Sequence, residues 1–389
     1  MTDLHDRLRD APLPDADGAE ERGWRVVRAA FEEAAPLKRR RRPGRLSLAL
    51  AAGVLAAATL ALPATGAGDW LRDLVSPGRD DARPSLASLP GGGRLLVTSA
   101  AGAWVVQADG SKRRLGDYGE AGWSPNGLFV VATEGRELVA TEPGGAVRWT
   151  LSRPDPVRHP RWSPSGFRIA YLTGSVPSLR IVAGDGTGDR QLSAGVADTA
   201  PAWKPGGGHV LAYAEASGSV TVLAADERRI AWRTPPAEAP RELTWSADGR
   251  RLLAAGTRAI RVFDERGRLL RTIAIERATG AAAFAGRTHG FAVVRRAGDG
   301  QSEVVLLEAE RQPRPARRVF VGAGELRDLA WSPDGRWLVI GWPSADQWLF
   351  VRSGDARRIV AVSGIARQFD PGAAGSRAAP RIEGWCCAR

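Results

Sequence analysis

Downstream of residue 92 the apolar residues of this chain come in short runs, cut at regular intervals by Gly, Pro, Asp and Asn, the pattern of strands joined by tight turns. The phrase that recurs between runs is best preserved at Trp331-Ser332-Pro333-Asp334-Gly335, ahead of the apolar stretch Trp337-Leu338-Val339-Ile340. Related copies begin at Trp123 (with Pro125 and Gly127), Trp162 (Pro164, Gly166), Trp203 (Pro205) and Trp245 (Asp248, Gly249), and degraded ones at Phe284 and Phe369. The aromatics are 39, 41, 42, 39, 47 and 38 residues apart. One aromatic-plus-turn signature every 40–45 residues is what a four-stranded propeller blade produces.

Each unit resolves into four predicted strands. The aromatic closes the first and points between neighbouring blades; Pro presets φ in the following turn, and Asp and Gly tolerate the left-handed region. Second strands are expected at 128–132, 167–171, 210–213 and 252–255. Third strands are expected at 104–108, 138–141, 179–183, 220–224, 260–264, 304–307 and 348–352. Basic fourth strands, at 112–115, 190–192, 268–273, 317–320 and 357–360, blunt the outer edge of each sheet with charge. Third strands and aromatics both number seven but are out of phase. The first unit, roughly 92–116, lacks a first strand, while the last has one at 365–369. Ring closure would let that strand complete blade 1. The prediction is an all-β propeller of seven blades, with six or eight left open if 381–385 is a further second strand.

The Trp-Ser-Pro-Asp-Gly units resemble the WD-repeat-like propeller repeats of TolB-type proteins over about residues 92–385. They differ from true WD repeats, which carry Gly-His and Trp-Asp in each blade. The resemblance implies a periplasmic or extracytoplasmic binding platform, and the expected function is a membrane-anchored propeller that binds a protein, peptide or wall-linked ligand. Such repeats also precede serine-peptidase domains elsewhere, and none is expected here before Arg389. The motif residues Trp123, Trp162, Trp203, Trp245 and Trp331 with their Pro, Asp and Gly partners are read as structural, so the sequence names no binding residue.

Upstream lies a different pattern. Residues 46–68 carry no charge, and 46–64 are mostly Leu, Ala and Val, long enough to cross a bilayer as a helix. Lys38, Arg39, Arg40, Arg41, Arg42 and Arg45 precede this stretch, whereas Asp69, Arg72 and Asp73 follow it. The positive-inside bias places the N-terminus in the cytoplasm and the propeller outside. A cleaved signal peptide is the alternative, with small residues at 61–67, but 45 residues ahead of the apolar run exceed an ordinary n-region. Ala49, Gly53, Ala57 and Ala61 share one face of the span. The expected organisation is a cytoplasmic tail at 1–45, a membrane helix at 46–66, a Pro- and Gly-rich linker at 67–91 and the propeller at 92–389.

The tail from 1 to 37 holds nine acids and five bases. Asp17 and Glu20 resemble a capping box, and Trp24, Val27, Phe31 and Ala34 form an apolar stripe at helical spacing. So short a helix needs a partner to bury that stripe: a cytoplasmic regulator, the membrane surface or its own copy. A short cytoplasmic helix, one span and an outer domain resemble the layout of a transmembrane anti-sigma factor. The zinc-binding His-x3-Cys-x2-Cys motif of many such proteins is absent, as no Cys precedes Cys386. The alternative function is therefore a signalling regulator with the propeller as sensor.

The formal net charge is +12, but only Lys38, Lys112 and Lys204 among 55 basic residues are lysines, and the arginines are scattered. That argues against a nucleic-acid partner. His5, His159, His209 and His289 occur singly, without metal-ligand spacing. There is no nucleophile elbow or phosphate loop. The run from Gly184 to Asp189 reads as a turn rather than a calcium loop. No cofactor, no metal and no enzymatic activity are expected. Cys386 and Cys387, the only cysteines, are read as incidental to a C-terminal tail, with a vicinal or interchain disulfide as the alternative.

Overall fold

Seven four-stranded antiparallel sheets follow one another along the chain and close into a propeller. The computed structural model describes residues 86–275, 282–286, 289–298, 300–310, 315–370 and 378–387. Blade 2 runs Glu120–Trp123, Val130–Glu134, Glu137–Thr141 and Val147–Ser152, innermost strand first. Blades 3 to 7 repeat this order, their innermost strands being Val157–Trp162, Ala202–Trp203, Glu242–Trp245, Ala282–Phe284 and Arg327–Trp331. Each ends on the aromatic of the repeat. The tail, the basic run, the apolar stretch at 46–66, the stripe Trp24, Val27 and Phe31, and the linker up to residue 85 lie outside the described residues. Among the described residues no helix is long and apolar enough to cross a membrane.

The motif's side chains explain why the turn forms. In blade 7 the Ser332 amide donates to the Trp337 carbonyl and the Gly335 amide to the Ser332 carbonyl. Ser332 Oγ accepts the Trp337 N–H at 2.9 Å and donates to Asp334 Oδ1, which also takes the Arg336 N–H at 3.0 Å. The turn thus satisfies its own donors. Ser124, Ser163 and Ser246 repeat the hydroxyl interaction. The motif glycines Gly127, Gly166, Gly249 and Gly335 all have φ between 63° and 78°, the left-handed region a side chain would resist.

Closure differs from the sequence expectation in one respect. Blade 1 is completed by Arg381–Cys386, which pairs antiparallel with Arg94–Ser99, Leu95 opposite Trp385 and Val97 opposite Ile382. Residues Ile365–Phe369 form a short helix instead. Its Ala366 amide is held by Asp346 Oδ1 at 2.7 Å. Ile365 and Phe369, four apart, are both buried, and Phe369 packs edge-on to Trp104. That is helical spacing. Trp385 takes the aromatic place that Phe369 was expected to fill, which settles the count at seven.

The core lies between consecutive blades. Leu172 and Ile181 of blade 3, for example, pack with Trp203, Leu211 and Tyr213 of blade 4. Leu86 and Leu89, read from sequence as linker, are buried in the cluster between blades 7 and 1. Outer strands at Val147–Ser152 and Arg229–Arg233 escaped the sequence reading, which sought short basic segments at the rim, although Val147, Trp149 and Leu151 alternate with polar residues. The second strands of blades 2 and 3 begin later than expected, at Val130 and Arg168. This leaves Leu128 and Phe167 outside the ladder.

Candidate binding site at the channel mouth

The repeat places Trp123, Trp162, Trp203, Trp245 and Trp331 around the inner end of one face, with Pro125, Pro164, Pro205 and Pro333 on the turns beside them. Trp203 and Trp245 are 7% exposed, so they fill the space between blades; Trp123, Trp162 and Trp331 remain half-buried. The indoles form a relay. Trp203 Nε1 donates to the Arg161 carbonyl at 2.9 Å, Trp245 Nε1 to Ala202 at 3.2 Å and Trp331 Nε1 to Ala283 at 3.1 Å. Each acceptor immediately precedes the aromatic of the preceding blade. Trp123 and Trp162 break the relay: both indole N–H groups are buried and neither has a partner among the described residues. The residues in the acceptor position for them are Gly384 and Gly122.

Three residues before the aromatic, the innermost strands carry Glu120, His159, Glu242 and Asp328. Three of these are acids that latch the next blade. Glu120 Oε2 accepts the His159 amide at 2.7 Å, Glu242 Oε2 the Ala282 amide at 2.8 Å and Asp328 Oδ2 the Ile382 amide at 3.3 Å. Sequence reasoning missed them, although an acid three residues ahead of Trp was a visible signal. Burial pushes the Glu242 carboxyl up to about 8. Burial likewise raises Asp328, against the pull of Arg381 and Arg327, and Glu383, whose Oε1 takes the Thr98 hydroxyl at 2.7 Å. Glu120 is lowered, because hydrogen bonds and charge from His159 outweigh its own burial.

Arg161 lies one residue before Trp162, and its charge acts on Glu120, Glu242 and Glu383, which belong to blades 2, 5 and 1. Arg161 also lines the space walled by residues of blades 1 to 5, which places it at the axial opening. It borders two cavities. One, of ≈ 340 Å³, is walled by Trp123, Pro125, Trp162, Pro164, Trp203 and Pro205. The other, of ≈ 710 Å³, is walled by Trp123, Pro125, Trp162, Glu383, Trp385 and the two cysteines. Cys386 and Cys387 are joined to each other, and Cys386 lies within the closing strand rather than in a loose tail. A Cβ on Gly127 would approach both sulfurs and Arg94 Nη2, so glycine there permits blades 1 and 2 to meet.

Outward from this mouth a third cavity, of ≈ 740 Å³, runs between blades 2 and 3, lined by Pro125, Leu128, Phe129, Trp149, Trp162 and Phe167. Leu128 is 63% exposed and Phe167 67%. Both stand five residues after the motif Trp; the same place holds Gly208, Arg250 and Arg336 in blades 4, 5 and 7.

The histidines bind neighbouring blades together. His209 bridges Ser165 Oγ at 2.7 Å and Asp226 Oδ2 at 2.5 Å. His289 bridges Asp248 Oδ2 at 2.8 Å and Glu310 Oε1 at 2.5 Å. Against the cost of partial burial, hydrogen bonds from Ser246, the Arg250 amide and His289 hold Asp248 well below the usual carboxylate range. His159 stands between Glu120 and Asp198. Among the described residues no group of three or more His, Cys, Asp or Glu side chains is placed to hold a metal ion. The run at Gly184 is a turn, its Asp185 accepting from the Thr187 amide and hydroxyl.

Residues 316–352 match the WD40 family (WD domain, G-beta repeat). This stretch runs from the outer strand of blade 6 through the third strand of blade 7 and contains the best motif copy. No curated protein matches the chain. Similar solved structures include hydrazine synthase of Kuenenia stuttgartiensis, at 15% identity and TM-score 0.51 over 60% of this chain and 76% of that one. The WD40 domain of Toxoplasma gondii coronin is similar at 14% identity and TM-score 0.49, over 63% and 69%. At such identities the likeness speaks for the fold alone.

Proposed function

We propose that the propeller is a docking platform for a protein or peptide, and that its working surface is the turn face over blades 1 to 3. The observation that carries this reading is the exposed pair Leu128 and Phe167 beside an apolar groove, at a position where blades 4, 5 and 7 carry Gly or Arg. Exposed apolar side chains grouped over a groove mark interaction sites more often than singly scattered ones do. The test is the double variant Leu128→Asp, Phe167→Asp, probed as full-length protein on an array of random peptides. Wild type is expected to retain a defined subset, and the double variant to lose roughly tenfold or more of that signal with its thermal midpoint unchanged. Equal retention by a folded variant would remove this surface from consideration.

We further read residues 46–66 as a single-pass membrane helix with the tail inside, on the strength of the basic run before it. In this arrangement Trp24, Val27 and Phe31 face a cytoplasmic partner, and the propeller's ligand is extracytoplasmic. Protease added to intact cells of the native organism is expected to digest the propeller and spare an epitope at the N-terminus. Protection of both, or loss of both, would refute this topology.

A further inference from the structure

We propose that the channel mouth beside the groove receives a carboxylate, carried by an extended peptide and held by Arg161. This rests on the turn face being the docking surface and names the chemistry of what docks there.

The arginines around Arg161 are committed elsewhere. Arg153 and Arg180 pair with Asp189, Arg158 with Asp198 and Arg168 with Asp226. Among the described residues the Arg161 side chain makes one hydrogen bond, to its neighbour's carbonyl, Pro160 O, at 2.9 Å, while its charge is felt at longer range by Glu120, Glu242 and Glu383. Among the described residues no carboxylate comes within 4.0 Å of it. An arginine offers a planar fork of N–H donors suited to a carboxylate. Its own surroundings leave most of that fork for something that enters.

The walls complete the site. Trp123 and Trp162 flank Arg161 in both cavities and offer aromatic surface there; their indole N–H groups, without a partner among the described residues, are buried. Pro125, Pro164 and Pro205 add rigid apolar surface that costs little entropy to dock against. Glu383 also borders the mouth, but it takes the Thr98 hydroxyl, and burial favours its neutral form. An extended peptide laid along Leu128 and Phe167 reaches Arg161 past Pro125 and Trp162, which line the groove and both mouth cavities alike. The carboxylate comes from an Asp or Glu side chain or from a free C-terminus; both present the same two oxygens.

The experiment uses the full-length protein on an array of matched peptides. Internal Asp and Glu are set against Asn and Gln, and free C-termini against amidated ones. Wild type is expected to prefer one carboxylate series about tenfold over its amide counterpart, because a hydrogen bond between two charged groups is stronger than one to a neutral amide; which series wins identifies the source. Arg161→Gln should abolish that preference while apolar peptides still bind, and Arg161→Lys, which keeps the charge without the fork, should restore part of it. Leu128→Asp, Phe167→Asp separates the two readings, because it weakens all peptides without erasing the acid-over-amide ratio. The proposal falls if wild type binds acid and amide alike, or if folded Arg161→Gln keeps the ratio. Should Arg161→Gln fail to fold, the wild-type ratio and Arg161→Lys still decide.

Discussion

A chain ending at residue 380 is expected to show no cooperative thermal transition, although it retains blades 2 to 7 complete and three strands of blade 1. The missing strand, Arg381–Cys386, gives Arg94–Ser99 its partner along the inner edge. It brings Ile382 and Trp385 into the core between blades 7 and 1, where Trp385 packs edge-on to Phe350, 5.6 Å between ring centres. It carries the Trp385 N–H to the Gly92 carbonyl at 2.7 Å and Glu383 to Thr98. Losing two large buried side chains costs roughly 5–10 kcal/mol together, against a total of about 5–15 kcal/mol for an ordinary domain. Calorimetry is the measurement. A synthetic peptide spanning residues 381–387, added to the truncated chain, should restore the transition. A truncated chain that melts cooperatively within a few degrees of the intact one would mean that closure does not depend on this strand.

The second large effect is a fall in stability with rising pH that Glu242 imposes. Its carboxyl sits at about 8 in the folded ring against an ordinary value of 4.5. Between those values the folded state holds a proton that the unfolded state has released. The contribution is full below pH 4.5, declines as pH rises and levels off above about 8. One such group changes stability by up to about 1.4 kcal/mol per pH unit inside the window. Glu242→Gln keeps an oxygen for the Ala282 amide and removes the titration. Its stability profile should therefore be flatter than wild type between pH 5 and 8, with the variant the more stable at pH 8. Asp328 and Glu383 are raised for the same reason and leave some slope in the variant. Glu120, Asp226 and Asp248 are lowered, so their stabilisation is lost only in acid, outside this window. Parallel wild-type and variant profiles from pH 5 to 8 would show that Glu242 titrates normally.

What could be seen in the sequence was what a few neighbouring residues decide among themselves. The Ser332–Asp334–Gly335 turn satisfies its own amides, so its phrase survives in several blades and sets the period. Closure was foreseen in kind but assigned to Phe369, because Phe-Asp-Pro-Gly imitates the motif. The helical spacing of Ile365 and Phe369 was the contrary signal, and Gly384-Trp385 was the better match to an inner strand. The latch acids Glu120, Glu242 and Asp328 were detectable by offset from Trp and went unnoticed because strand alternation was sought only in apolar residues. The exposure of Leu128 and Phe167 was hidden: an apolar residue after a turn looks the same whether it enters the ladder or stops short of it. The bond of His209 to Ser165, 44 residues away, depends on how two blades abut, and no local pattern encodes it.

The pairing of Leu95 with Trp385 also sets a timetable. Nearly three hundred residues separate the two strands, and a ribosome adding about 5–20 residues per second takes roughly 15–60 s to make them. Throughout that interval the inner edge of blade 1 stands open, with its backbone amides and carbonyls unpaired, the condition under which strands recruit the wrong neighbour. Whatever shields Arg94–Ser99 until Trp385 arrives should therefore raise the yield of correctly closed rings.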